Sequence, residues 1–121
     1  GKKEVRKRVA DAITELIDEL RVPPSSIAIV TTRSELRDDL LKSDRQPVPF
    51  VRWEDRDEGS VLCENVHRLK GLEFQAVVLV SLLDAEHAGI RDLLYVGATR
   101  ATTYLHLVAP CETAALMGIR P

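Results

Sequence analysis

The chain has 121 residues, 45% hydrophobic and 30% charged, with a formal net charge of −2. That length holds one domain, and the balance excludes a disordered, low-hydrophobicity chain. The apolar runs are too short for a membrane-spanning helix, and the charge excludes a strongly basic nucleic-acid binder.

The first segment, Lys2 to Leu20, places Val5, Val9, Ile13, Leu16, Ile17 and Leu20 at helical spacing. Its basic start (Lys2, Lys3, Arg6, Lys7 and Arg8) reads as a solvated face. Pro23 and Pro24 stop it. Ile27 to Thr32 reads as a buried parallel strand, apolar on both faces. Ser34 is the expected N-cap of a helix through Leu36, Leu40 and Leu41. Gln46 to Pro49 is a loop, Phe50 to Arg52 a weak strand, and Asp55 to Gly59 an acidic turn. Val61 to Val66 and Ala76 to Val80 read as strands, Ile90 to Ala101 as a helix, and Tyr104 to Val108 as the last strand. Thr113 to Met117 predicts a closing helical turn. Alternating strands and helices predict an α/β fold with a mainly parallel sheet and flanking helices.

Cys63 and Cys111 lie far apart and make no disulfide framework, which points to a reducing, cytoplasmic setting. His67, His87 and His106 lack partners at metal-ligand spacing, so no metal site is expected. No signal peptide is visible. Gly1 resembles a tag scar, as in an excised piece. No GxxxxGK[ST] loop is present, which denies the chain a phosphate cradle of its own.

Two clusters carry chemistry. The stretch Val66 to Phe74 leaves the carboxyl end of a predicted parallel strand, where open α/β sheets bind ligands. Gly71 permits a tight turn, His67, Arg68 and Lys70 offer donors to phosphate, and Glu73 can accept from a sugar hydroxyl. The plainer reading is a charged surface loop with Leu72 and Phe74 packed beneath. The second cluster is Tyr95 to Ala101. Its Arg100 either answers the helix dipole or projects toward a phosphate on a neighbouring domain.

Together the clusters resemble a known family. His67-Arg68-Leu69-Lys70-Gly71-Leu72-Glu73-Phe74 is similar to motif V of the UvrD/Rep-like superfamily-one DNA helicases, written TxHxxKGLEF. Leu93-Leu94-Tyr95-Val96-Gly97-Ala98-Thr99-Arg100-Ala101 is similar to their motif VI, LLYVAxTRA. Asn65 stands where the pattern has threonine, Gln75 where aspartate is common, and Asp92 where a second arginine often follows Arg91. Only about thirty residues separate Val30 from Val61, as in compact members without an inserted domain.

The resemblance implies a C-terminal RecA-like domain that lacks its own Walker A loop. It implies one domain over 1–121: an N-terminal helix and connection over 1–24, a RecA-like core over 25–110 and a tail over 111–121. ATP and Mg²⁺ would be used by the intact enzyme, none bound by the piece alone, and the piece would be a monomer without ATPase activity. The partners implied are the enzyme's N-terminal RecA-like domain and single-stranded DNA. Carried over by position, Gly71, Glu73 and Arg100 would face ATP, with Arg100 as an arginine finger. Asn65, His67 and Arg68 would face DNA, while Lys70, Tyr95 and Thr99 would support the motifs. The alternative is a helicase-like docking module without motor activity, for instance one that contacts RNA polymerase.

Overall fold

The computed structural model describes residues 1–118; residues 119–121, the end of the predicted tail, lie outside the described residues. Helix α1 spans Lys2–Thr14 and continues as a π-helical turn, Glu15–Glu19. Arg21, at φ 58°, reverses the chain, and Val22 N–H closes on the Leu16 carbonyl at 2.9 Å. This left-handed stop ends the helix before the prolines are reached. A short 3₁₀ turn, Pro24–Ser26, leads into β1, Ile27–Thr31. Helix α2 (Ser34–Leu41) returns the chain to β2 (Phe50–Val51). Next come a 3₁₀ turn at Trp53–Asp55, β3 (Val61–Asn65) and a second 3₁₀ turn at Val66–Leu69. The chain ends with β4 (Phe74–Val80), α3 (Ile90–Ala98), β5 (Ala101–Val108) and α4 (Cys111–Ala115).

The five strands form one sheet in the order β2-β3-β1-β4-β5, with every neighbouring pair parallel. The α/β class and the parallel sheet are therefore as the sequence predicts. One face is covered by α1 and α2, through Val9, Ile13 and Leu40 packed on Ile27, Ile29, Val61 and Val78. The N-terminal helix thus shares the core of the sheet. The other face is covered by the Val66–Leu69 turn and α3, through Val66, Leu69, Ile90 and Leu94 on Ala28, Val30, Val77 and Leu79. Alternation along each strand sends successive residues to the two faces. Helix α3 comes close to the sheet because Gly97 has no side chain: a Cβ there would meet Leu79 Cδ1 at 2.6 Å.

Several predicted bounds move. Ser34 caps nothing; it is the first helical residue, and its hydroxyl accepts from Asn65 Nδ2 at 3.2 Å. Arg52 falls outside β2, and Val66 leaves β3 for the 3₁₀ turn. β4 starts at Phe74 and β5 at Ala101, because these two residues pair across the sheet. Ala101 is therefore strand, and α3 stops at Ala98. The closing helix begins at Cys111, two residues early.

Cys63 lies fully inside on β3 and Cys111 is exposed. Burial, with the Glu64 charge adjacent, pushes the Cys63 thiol up to about 12. The thiolate is the reactive form, so Cys63 stays inert far above neutral pH. Native protein at pH 8 is expected to take up one equivalent of a maleimide, at Cys111, and two after denaturation. Mass spectrometry of the labelled peptides checks this, and rapid native labelling of Cys63 would contradict the packing.

Candidate nucleotide and nucleic-acid edges

The sheet has two ends, and the candidate residues divide between them. Asn65 and His67 lie at the carboxyl edge, where β3 ends. Glu73 and Arg100 lie at the amino edge, one residue ahead of β4 and β5. The segment 66–73 runs from one edge to the other across the α3 face. Six residue steps along β4, at ~3.3 Å each, put the two edges ~20 Å apart. The segment after β3 leaves the carboxyl end of that strand, as the sequence predicts. The loop starts there, but Gly71, Glu73 and Arg100 gather at the opposite end.

The amino edge is built by backbone geometry. Lys70 (φ −58°, ψ 133°) and Gly71 (φ 81°) are the central residues of a type II turn, closed by Leu72 N–H to the Leu69 carbonyl at 3.1 Å. The third position of that turn needs a positive φ, which explains glycine there. Phe74 N–H then donates to the Arg100 carbonyl at 2.7 Å. This bond sets the backbones of Glu73 and Arg100 side by side. Glu73 is exposed and Arg100 half-buried. The Arg100 guanidinium rests on the end of α3: Nε donates to the Val96 carbonyl and one terminal nitrogen to Thr99 Oγ1, both at 3.2 Å. Thr99 Oγ1 itself donates to the Val96 carbonyl at 3.0 Å, so Thr99 supports the helix end. Tyr95 gives no such support; it projects from α3 at 69% exposure.

At the carboxyl edge Asn65 is 8% exposed and uses both ends of its amide within the chain. Oδ1 accepts from His67 N–H at 2.9 Å, and Nδ2 donates to Ser34. Asn65 therefore shapes the loop, while His67 stays exposed. Arg68 is held by carboxylates: it hydrogen-bonds Glu54 and lies 3.3 Å from Glu64 Oε2. The bond from Arg68 holds the Glu54 carboxyl below its ordinary range, and the Arg68 guanidinium is raised in return. Lys70 is exposed. The structure also adds residues that the sequence reading missed. Arg33, after β1, and His87, after β4, meet at 3.4 Å at this edge. Their signal was only that each follows a predicted strand.

The larger omission is Glu64. Its side chain is fully buried, yet three guanidinium groups converge on it: Arg37 at 3.3 Å, Arg68 at 3.3 Å and Arg52 at 3.5 Å. Trp53 N–H donates to the same carboxylate at 3.1 Å. Arg52 Nε is buried without an aligned hydrogen bond. β2 pairs only with Val61 and Leu62, so the flank of β3 beside Glu64 lacks a strand neighbour, and the arginines fill it. A charge inside the apolar run Val61-Leu62-Cys63-Glu64 was the available signal.

Residues 60–108 match the family described as UvrD-like helicase C-terminal domain. The helicase resemblance holds. The matched stretch runs from Ser60 to the end of β5 and contains Glu73, Arg100, Asn65, His67 and Arg68. The fold is similar to the crystal structure of the C-terminal domain of a possible DNA helicase from Lactobacillus plantarum WCFS1, at TM-score 0.66 and 26% identity over 86% of this chain. The chain spans 65% of that helicase domain's length. No curated protein matches the chain. No helix among the described residues is long and apolar enough to cross a membrane.

Two substitutions test the construction. Glu64→Ala strands three arginines, of which Arg37 is only 11% exposed, and should cost about 3 kcal/mol in chemical denaturation. A loss within a few tenths of a kcal/mol of zero would show that the carboxylate does not hold this region. Gly71→Ala should cost about 1 kcal/mol by the same measurement. No atom lies within 4 Å of the added Cβ, so the loss would come from the backbone angle alone.

Proposed function

We propose that this chain is the C-terminal RecA-like half of an ATP-dependent DNA helicase or translocase. The Phe74–Arg100 backbone bond carries the reading, because it sets the backbones of Glu73 and Arg100 side by side at an edge that a second domain can meet. In this reading the partner is an N-terminal RecA-like domain that cradles the phosphates and holds Mg²⁺. Glu73 accepts from the ribose. Arg100 exchanges the Val96 carbonyl for the γ-phosphate as the domains close, and stabilises charge on the transferred phosphoryl group. The bonds it gives up are exposed or half-buried, so the exchange is inexpensive. Single-stranded DNA would lie along the carboxyl edge near His67. Contacts to backbone and stacked bases would leave little sequence preference. Opening and closing at one edge would then be felt by DNA at the other.

The rival reading is a helicase-like docking module. It draws support from the carboxyl edge, where Asn65 and Arg68 are satisfied within the chain. The test is ATP turnover, with and without single-stranded DNA, in a protein that contains both RecA-like domains. Arg100→Ala should lower turnover ~10²-fold or more with ATP affinity little changed, and Arg100→Lys should fail as well, since it lacks the planar fork. Near-normal turnover in the alanine variant removes the finger assignment. Absence of any DNA-stimulated turnover in the unaltered protein favours docking.

A further inference from the structure

The outer side of the Glu64 cluster carries a second carboxylate. Glu54 is the middle residue of the 3₁₀ turn Trp53–Asp55, and its two oxygens face two different arginines. Oε1 accepts from Arg68, and Oε2 lies 4.0 Å from Arg52 Nε. Both arginines also reach inward, to the buried Glu64 carboxylate. Each guanidinium therefore has an inner side fixed by Glu64 and an outer side turned to Glu54. The outer layer is open to solvent: the side chains of Arg52 and Arg68 are 40% exposed and that of Glu54 54%.

The charges balance only while Glu54 is in place. Arg37 has Asp38 at 3.0 Å, Arg68 has Glu54, and Glu64 answers the remaining charge. Without Glu54, three guanidiniums face two carboxylates. Arg52 is the least satisfied, since its Nε is buried without an aligned hydrogen bond. The turn that carries Glu54 is held by other atoms. Trp53 N–H is bound to Glu64, Asp55 N–H to the Arg52 carbonyl at 3.0 Å, and Arg56 to both the ring and the carbonyl of Trp53. Rotation of the Glu54 side chain alone would therefore uncover both arginines and leave the backbone where it is. Guanidinium forks match the oxygens of a phosphate as they match those of a carboxylate, so one can replace the other. The place suits a polymer: Arg52 follows β2 and Arg68 follows β3, both at the carboxyl edge, with His67 exposed beside Arg68.

We propose that Arg52 and Arg68 form a phosphate site for a nucleic-acid backbone and that Glu54 is its built-in competitor, which fills the site until a phosphodiester displaces the carboxylate. The inference rests on the DNA part of the reading above and adds a regulation to it. It also brings in Arg52 and Glu54, which lie outside both sequence motifs.

Binding of a fluorescein-labelled oligo-dT to this chain, followed by anisotropy at several salt concentrations, tests the competition. Glu54→Ala should tighten binding about three- to tenfold at low salt and steepen the salt slope by ~0.7, the share of one added phosphate contact. Asp55→Ala removes the same charge from the next residue and should gain far less. Adding Arg52→Ala to Glu54→Ala should abolish the gain, with thermal melts checking that each variant is folded. An abasic deoxyribose-phosphate oligomer should show the same gain, because the contact is to phosphate and not to base. No gain from Glu54→Ala, or an equal gain from Asp55→Ala, overturns the proposal without recourse to the arginine variant. A gain for inorganic phosphate at matched ionic strength, with none for either oligomer, assigns the site to free phosphate and overturns the nucleic-acid competitor. DNA-stimulated turnover in the two-domain protein reads the motor separately. Its absence beside a Glu54→Ala gain fails the motor and keeps the site, whereas its presence without that gain fails the site alone.

Discussion

The carboxylate of Glu64, enclosed by Arg37, Arg52 and Arg68, organises the flank of the sheet on which the candidate residues depend. It sits where β2 has already ended, so the edge of β3 would otherwise present its backbone to solvent. Each arginine arrives from a different element: α2, the stretch after β2 and the turn after β3. One buried charge therefore ties three segments together. Such a cluster adds little net stability over an apolar filling, but removing one partner leaves charges unpaired. Its value here is positional. It fixes where the chain leaves β3 and where the Trp53 turn lies.

From that anchor the two-edge layout follows. A parallel sheet needs a crossover between β3 and β4, and this one is short, made of a 3₁₀ turn and a type II turn. The crossover begins among polar groups at the carboxyl edge and ends beside Arg100 at the amino edge. Helix α3 runs the opposite way and delivers Arg100 to the same end. Its close seat on Leu79, made possible by Gly97, sets the height at which that arginine emerges. A sheet arranged in this way keeps the two groups of candidate residues at opposite edges, which is the layout that the proposed motor requires.

Much of this was legible in the sequence because the signals were local. Period-two and helical spacing gave the elements, and glycine after Lys70 gave the tight turn. What escaped were features decided by partners distant along the chain. Arg68 read as a cation for DNA because Glu54, the carboxylate it hydrogen-bonds, is 14 residues away. Asn65 read as a DNA-facing amide because its acceptor, Ser34, is 31 residues away. The starts of β4 and β5 were missed for the same reason: Phe74 and Ala101 become strand only by pairing with each other. Tyr95 was read as support for its helix, but the exposed side of α3 is visible only once the sheet behind it is in place.

The crossover is pinned at three points along its length, by Val66 and Leu69 in the core and by Phe74 on the backbone of Arg100. It has little slack. A rope between two edges would absorb a pull at one end, whereas a strut passes it on. Mechanically, residues 66–73 are a strut, and the type II turn at Gly71 is its stiff elbow. Lengthening this segment by a residue or two would be expected to spare the fold, since the anchors could re-seat, yet to loosen the fixed spacing between His67 and Glu73. The eight-residue length of the crossover is thus a mechanical specification as much as a topological one.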